Sequence, residues 1–318
     1  MFGIWIPKLK IIESEIATPK VRMKGRYQLR AVKRDGVTIA RQSPWFDNLI
    51  TNNGLDYIGG LNTYLTRVYV GTGTTAPAVT DSAIETEVAS TITSELSNNV
   101  QNGSSPYELT RNVVRRFAQG DAEGNLTEVA IGPTAGNVFS RSLILDGGGS
   151  PTTFPVGSDE FLDVAYQLIT YPPLTDATGT ITITGSGMHE FIVRPIEVAV
   201  WGGSTGDLAA VFGDGLSSRN GVFADDLVAL MTAPQTGLIS SGFTGYTNDT
   251  YVAGSYERTA TCAWPLGAGN GDIRTHTFAV TTGGFRPTTY WGCQYDPVIT
   301  KTSSQLLSTG FRFSWARA

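Results

Sequence analysis

Along most of this chain, apolar and polar residues alternate one by one, in short runs that glycine or proline cuts off. Tyr107, Leu109, Arg111, Val113, Arg115 and Phe117 hold every second position of one run. Tyr27, Leu29 and Ala31 alternate with Arg26, Gln28 and Arg30 in another. A period of two puts successive side chains on opposite faces of an extended strand and cannot wind into a one-sided helix. Residues 67–71, 128–131, 142–145 and 162–170 read as further short strands. Asp35-Gly36 tolerates positive φ and supplies a hairpin turn. Forty threonines and 37 glycines in 318 residues fit strands joined by turns. Charged residues make up only 16%, against roughly 25% in an average chain, which excludes a coiled coil or long helical bundle. A hydrophobic content of 41% excludes disorder. Leu55, Ile58 and Leu61, three apart behind an Asn cap, predict one short helix. Further short helices are expected within 9–16 and 227–231. The fold class is therefore all-β.

The second half echoes the first. Tyr107-Glu108-x-Thr110 recurs as Tyr256-Glu257-x-Thr259. Leu162-x-x-x-Tyr166-x-Leu168 has a counterpart in Leu307-x-x-x-Phe311-x-Phe313, and Val68-Tyr69-Val70-Gly71 in Ala199-Val200-Trp201-Gly202. Asp146 and Asp296 follow their Tyr residues at matching distances. These matches predict two tandem, duplicated β-sandwich domains, 21–175 and 176–318, joined by the turn-rich 171–179. An extended N-terminal arm over 1–20 precedes them.

Charge is unevenly placed. Residues 1–41 hold ten Lys or Arg against three acids, so they carry +7 and leave −12 on the rest of a chain with net charge −5. Lys8, Lys10, Lys20, Arg22 and Lys24 make this a basic arm on an acidic body, a pattern suited to head-to-tail contact between subunits or to an acidic partner. The overall acidity argues against nucleic-acid binding. No run approaches the length of a membrane span, and the apolar start is broken by Pro7, so no export signal is expected. Cys262 and Cys293 are expected as two reduced, partly buried thiols.

Catalytic patterns are sparse. His189 and His276 are the two histidines, without His-x-x-x-His spacing or a Gly-x-Ser-x-Gly elbow. Gly71-Thr-Gly73-Thr-Thr-Ala76 follows a strand as a dinucleotide fingerprint would, but Pro77 denies it the helix that should hold a pyrophosphate. It reads as a loop. Asp214 and Asp225-Asp226 flank a glycine-rich stretch without Ca²⁺-loop spacing and read as solvated. Asp159-Glu160 would point to opposite faces of a strand. No catalytic residue, metal site or cofactor is expected. Tyr246, Tyr251, Tyr290 and Trp291 belong to an aromatic-rich second half and are candidates for recognising a sugar ring or a protein surface.

Several segments in combination resemble a family of tailed-bacteriophage virion structural, or tail fibre-type, proteins. They are Arg41-Gln-Ser-Pro-Trp-Phe-Asp-Asn-Leu-Ile-Thr51 with Gly54-Leu55, and Val70-Gly-Thr-Gly-Thr-Thr-Ala-Pro77 with Thr80-Asp81. Phe117-Ala118 through Gly124-Asn125-Leu126 to Glu128-Val129, Phe139-Ser-Arg-Ser-Leu-Ile144 with Asp146, and Asp163-Val164 with Tyr166 complete the set. The likeness covers roughly residues 24–172. It implies a non-enzymatic part of a virion tail, neck or collar, or baseplate, made in the host cytoplasm. Copies of the chain would form a symmetric homo-oligomer, touching other virion proteins. The alternative is a receptor- or polysaccharide-binding fibre with its site for a host surface glycan in the second domain.

Overall fold

The computed structural model describes residues 8–11, 15–60, 63–200, 211–213, 220–232, 234–242, 246–281 and 287–318. Leu61, Trp201, Gly202 and Asp214 lie outside them, as do the side chains of Lys8 and Lys10. The architecture is all-β, with one helix, Asn52–Gly60, among the described residues.

Val21–Val32 lies within the largest sheet, which has 11 strands among the described residues. On one side it pairs antiparallel with Phe161–Tyr171, Tyr27 opposite Tyr166. Glu108–Phe117 and then Ser94–Asn102 extend that side. On the other side it runs parallel to the end of Gln305–Arg317, Val21 opposite Trp315. Glu257–Trp264 and Tyr246–Asn248 follow. The arm lies in the same sheet. Lys8–Ile11 and Ile16–Ala17 run parallel to Gln305–Arg317, a strand pairing rather than the short helix expected within 9–16.

Two smaller sheets pack against this large one. The first has the order Leu49–Ile50, Ser140–Leu143, Glu128–Gly132, Arg67–Gly71, Glu87–Thr91. The second runs Ala177–Ile183, Gly187–Val200, Pro287–Lys301, Gly271–Thr281, Gly221–Phe223, Leu238–Ser240. Both meet the same face of the large sheet, because a period of two sends its odd-numbered residues one way along both central strands. Tyr27 hydrogen-bonds Ser140 of the first small sheet at 2.8 Å. Phe311 stacks on Phe278 of the second, with ring centroids 4.0 Å apart, and Phe313 meets Trp291 edge-on at 6.1 Å. Each such ring, fully buried, contributes on the order of 2–3 kcal/mol.

One continuous core therefore reaches from Ile16 to Trp315. The turn proposed as a domain boundary lies between Phe161–Tyr171 and Ala177–Ile183, and strands from both sides of it share the large sheet. Glu108–Phe117 and Glu257–Trp264, the strands that begin the two matching motifs, each pair antiparallel with their own closing strand. Those closing strands flank Val21–Val32 on opposite sides.

Thr51 rather than an Asn caps the helix: the Thr51 hydroxyl accepts the Gly54 N–H at 2.9 Å and donates to the Val138 carbonyl at 2.7 Å. Leu55 and Ile58 face the core as their spacing requires. Residues 226–229 are irregular and lead into a turn at 230–231, so the helix expected at 227–231 does not form. Their amides bond side chains instead, Leu227 to Gln294 at 2.7 Å and Val228 to Gln235 at 3.1 Å.

Candidate functional site

The loop after Arg67–Gly71 is the one with a phosphate-cradle sequence, and its amides are already occupied. Glu128 is fully buried, held there by its strand Glu128–Gly132 between Ser140–Leu143 and Arg67–Gly71. Its carboxylate accepts the N–H groups of Gly73 at 2.8 Å, Thr86 at 2.8 Å and Glu85 at 3.1 Å. Glu85 in turn accepts the Thr74 and Thr75 N–H groups, both at 2.8 Å. The Thr75 N–H and hydroxyl, followed by the Thr74 N–H, hold the Glu85 carboxyl below its ordinary range. The chain's own carboxylates sit where an anionic ligand would. A Cβ at Gly73 would overlap Glu128, so this position needs glycine for close approach rather than for a nucleotide.

Arg141 closes the lock. Its guanidinium, 4% exposed, reaches Glu128 at 2.9 Å and Asp81 at 2.7 Å and donates to the Thr75 carbonyl at 3.1 Å. Burial opposes its charge, and the hydrogen bonds to Asp81 and Glu128 more than offset that. Two clefts of about 200 Å³ flank the loop, one lined by Thr74, Thr127 and Leu143, the other by Tyr69, Ile84 and Glu87. Both are smaller than the ~300–1,000 Å³ of typical small-molecule sites. Among the described residues, no three of His, Cys, Asp and Glu come together as a metal-ligand set.

The candidate recognition aromatics do not converge on a surface. Tyr290 and Trp291 are 1% and 0% exposed, so neither ring has a face to offer a ligand. Their strand, Pro287–Lys301, is covered on both sides: Trp291 belongs to the main core, and Tyr290 packs with Ile196 and Ala279 beneath Leu227 and Val228. Tyr246 is half-buried beside Cys262. Tyr251 packs on Trp315 at 5.7 Å and donates to Asp56 of the helix at 2.6 Å. Burial, then the Asp56 hydrogen bond, pushes its phenol upward.

Tyr251 is one member of a clamp on the helix. Trp315 donates to the Leu55 carbonyl at 2.9 Å, and Arg317 reaches Asn52 at 2.7 Å. Arg258 donates to the Gly59 carbonyl at 2.6 Å, placing a cation at the helix C-terminus where the dipole favours it. A Cβ at Gly59 would enter the Tyr251 ring. Residues from beyond position 250 thus hold a helix of the first half. No local pattern pointed to this clamp.

The histidines and thiols are interior. His276 lies edge-on to Phe311 at 4.9 Å, and burial pushes its pKa down to about 3. His189 is bound by the Pro297 carbonyl at 2.6 Å and Ser186 at 3.1 Å. Cys262 and Cys293 are buried thiols outside any disulfide, and burial pushes the Cys293 thiol up.

Of the arm residues, Lys20 and Arg22 are exposed and Lys24 is half-buried. Arg22, Lys24, Arg26 and Arg30 occupy alternate positions on the large sheet's outward face, with Gln28 between the last two. Arg26 donates to Gln167 at 2.6 Å and lies over the Trp45 ring at 5.0 Å. Arg30 donates to Gln28 at 2.7 Å.

The chain matches no family model, no curated protein and no solved structure. No helix of the described residues is long and apolar enough to cross a membrane.

Proposed function

We propose that this chain is a non-enzymatic structural component of a tailed-phage virion, built into the tail, neck or baseplate in several copies. One observation carries the reading. Gly73, Thr75, Asp81, Glu128 and Arg141 lie in three separate segments that carry the resemblance in sequence, and they meet in one lock around the buried Glu128 and Arg141. Motif residues that hold a loop in shape fit a scaffold, whose task is geometry. A glycine-rich loop filled by its own carboxylates also has no room to cradle a phosphate.

The large sheet's outward face suits assembly, since Arg22, Lys24, Arg26 and Arg30 stand on it in a row without an ion pair of their own among the described residues. Tyr290 and Trp291 offer no exposed ring, so the reading is not extended to glycan recognition by them. Deleting the gene from the phage that encodes this chain tests the role. Incomplete particles, restored by the gene supplied in trans, are expected. Intact, infectious particles lacking the protein would overturn it.

A further inference from the structure

The outward face of Val21–Val32 carries Arg22, Lys24, Arg26 and Arg30, a row about 26 Å long at ~3.3 Å per residue. Among the described residues, none of the four has an ion pair with a carboxylate; Arg22, Arg26 and Arg30 bond carbonyl or amide oxygens instead. Asp47 lies opposite Arg26 in register without forming an ion pair. Asp163, opposite Arg30, is bound by both arms of Arg116 at 2.6 and 2.7 Å. The row is a line of positive charge that forms no ion pair of its own, with Asp47 and Asp163 beside it.

A matching negative patch lies on the second small sheet. Glu190 stands directly opposite Asp296 across the pair Gly187–Val200 and Pro287–Lys301. Like charges at such positions oppose pairing, so the fold itself gains nothing from them. Both residues are exposed, and Arg274 alone serves Asp296 at 2.9 Å and Asp226 at 2.7 Å. Glu190 alternates with the core residues Phe191 and Val193 and so looks away from the large sheet. Since that sheet packs on the large sheet's inner face, the basic row and the acidic patch point in opposite directions.

Opposite charges on opposite faces join copies head to tail, a heterologous contact that grows into a ring or stack. We infer that the Arg22–Arg30 row of one copy docks on the Glu190, Asp226 and Asp296 patch of the next. This rests on the structural-component reading, and it commits to a second copy of this chain as the partner.

Sedimentation velocity of the full chain, at 50 and 500 mM NaCl and over a hundredfold range of concentration, tests it. Oligomers that grow with concentration at low salt and dissociate at high salt are expected. Arg22→Glu with Lys24→Glu, and separately Glu190→Lys with Asp226→Lys, should each leave monomers. In an equimolar mixture of the two variants the intact faces complement each other and so do the reversed ones, so the mixture should assemble where neither variant alone does. Circular dichroism checks folding. Where a reversed charge prevents folding, the neutral variants Arg22→Gln with Lys24→Gln and Glu190→Gln replace it, with at least tenfold weaker association expected. A wild-type chain that stays monomeric at low salt, a folded variant that assembles like wild type, or a mixture that stays monomeric overturns the inference. Binding to dextran sulfate by a chain that stays monomeric would assign the row to an anionic polymer and also overturn it. Gene deletion reads the virion role independently, so the two can fail separately.

Discussion

Glu128 and Arg141 are both buried, and each satisfies the other, so removing one leaves an uncompensated charge. Arg141→Ala is expected to cost about 3–5 kcal/mol, read as a shift of the urea unfolding midpoint. Gly73→Ala forces the Glu128 carboxylate to move and should cost about 1–3 kcal/mol. His276 gives a pH dependence whose direction follows from burial. Below its ordinary value near 6.5 the unfolded chain takes up a proton that the folded imidazole, with a pKa of about 3, refuses. This residue's contribution therefore makes stability fall as pH drops from about 6.5 toward 3, by up to ~1.4 kcal/mol per pH unit. An NMR titration should find His276 neutral at pH 5, and a midpoint above 6 would contradict this. The loop character of 71–76 was legible in the sequence because Pro77 breaks the helix a nucleotide site needs. Its partner Glu128 was not, because a carboxylate 55 residues away announces nothing locally. Tyr290 and Trp291 misled for a related reason: burial on both faces of a strand depends on covering residues such as Leu227 and Val228, which alternation cannot reveal.

Individual strands were the most readable level. Glu108–Phe117 alternates cleanly because one face meets the core and the other meets polar surroundings, whereas Arg67–Gly71 is readable from its apolar run, with Val68 and Val70 in the main core and Tyr69 buried in a second cluster. Leu9 to Ile16 misread as a helix because parallel pairing with Gln305–Arg317 needs a partner almost 300 residues away. The helix is held less by propensity than by its clamp. Nine residues with three glycines form a weak helix alone. Trp315→Ala removes a core ring and the donor to Leu55, and it should cost about 3–5 kcal/mol. Hydrogen exchange should then show Asn52–Gly60 opening faster while Glu128–Gly132 keeps its protection. Equal loss in both segments would mean that the helix does not depend on the clamp in particular.

The fold class was legible from composition and period, whereas the way the halves join was not. A sheet that places the last strand beside Val21–Val32 depends on contacts that no local pattern encodes. Because one core reaches from Ile16 to Trp315, thermal unfolding is expected as a single cooperative transition. Two well-separated calorimetric peaks would show that the halves are energetically independent. The few charges on the body and a basic row without ion pairs make sense together if the molecule's work is to contact its own kind. A cryo-electron-microscopic map of the virion tests that most directly. The account predicts this all-β body at the tail, neck or baseplate, in symmetric copies, with the Arg22–Arg30 row facing a neighbouring subunit. A complete virion map with every density assigned to other chains would contradict it.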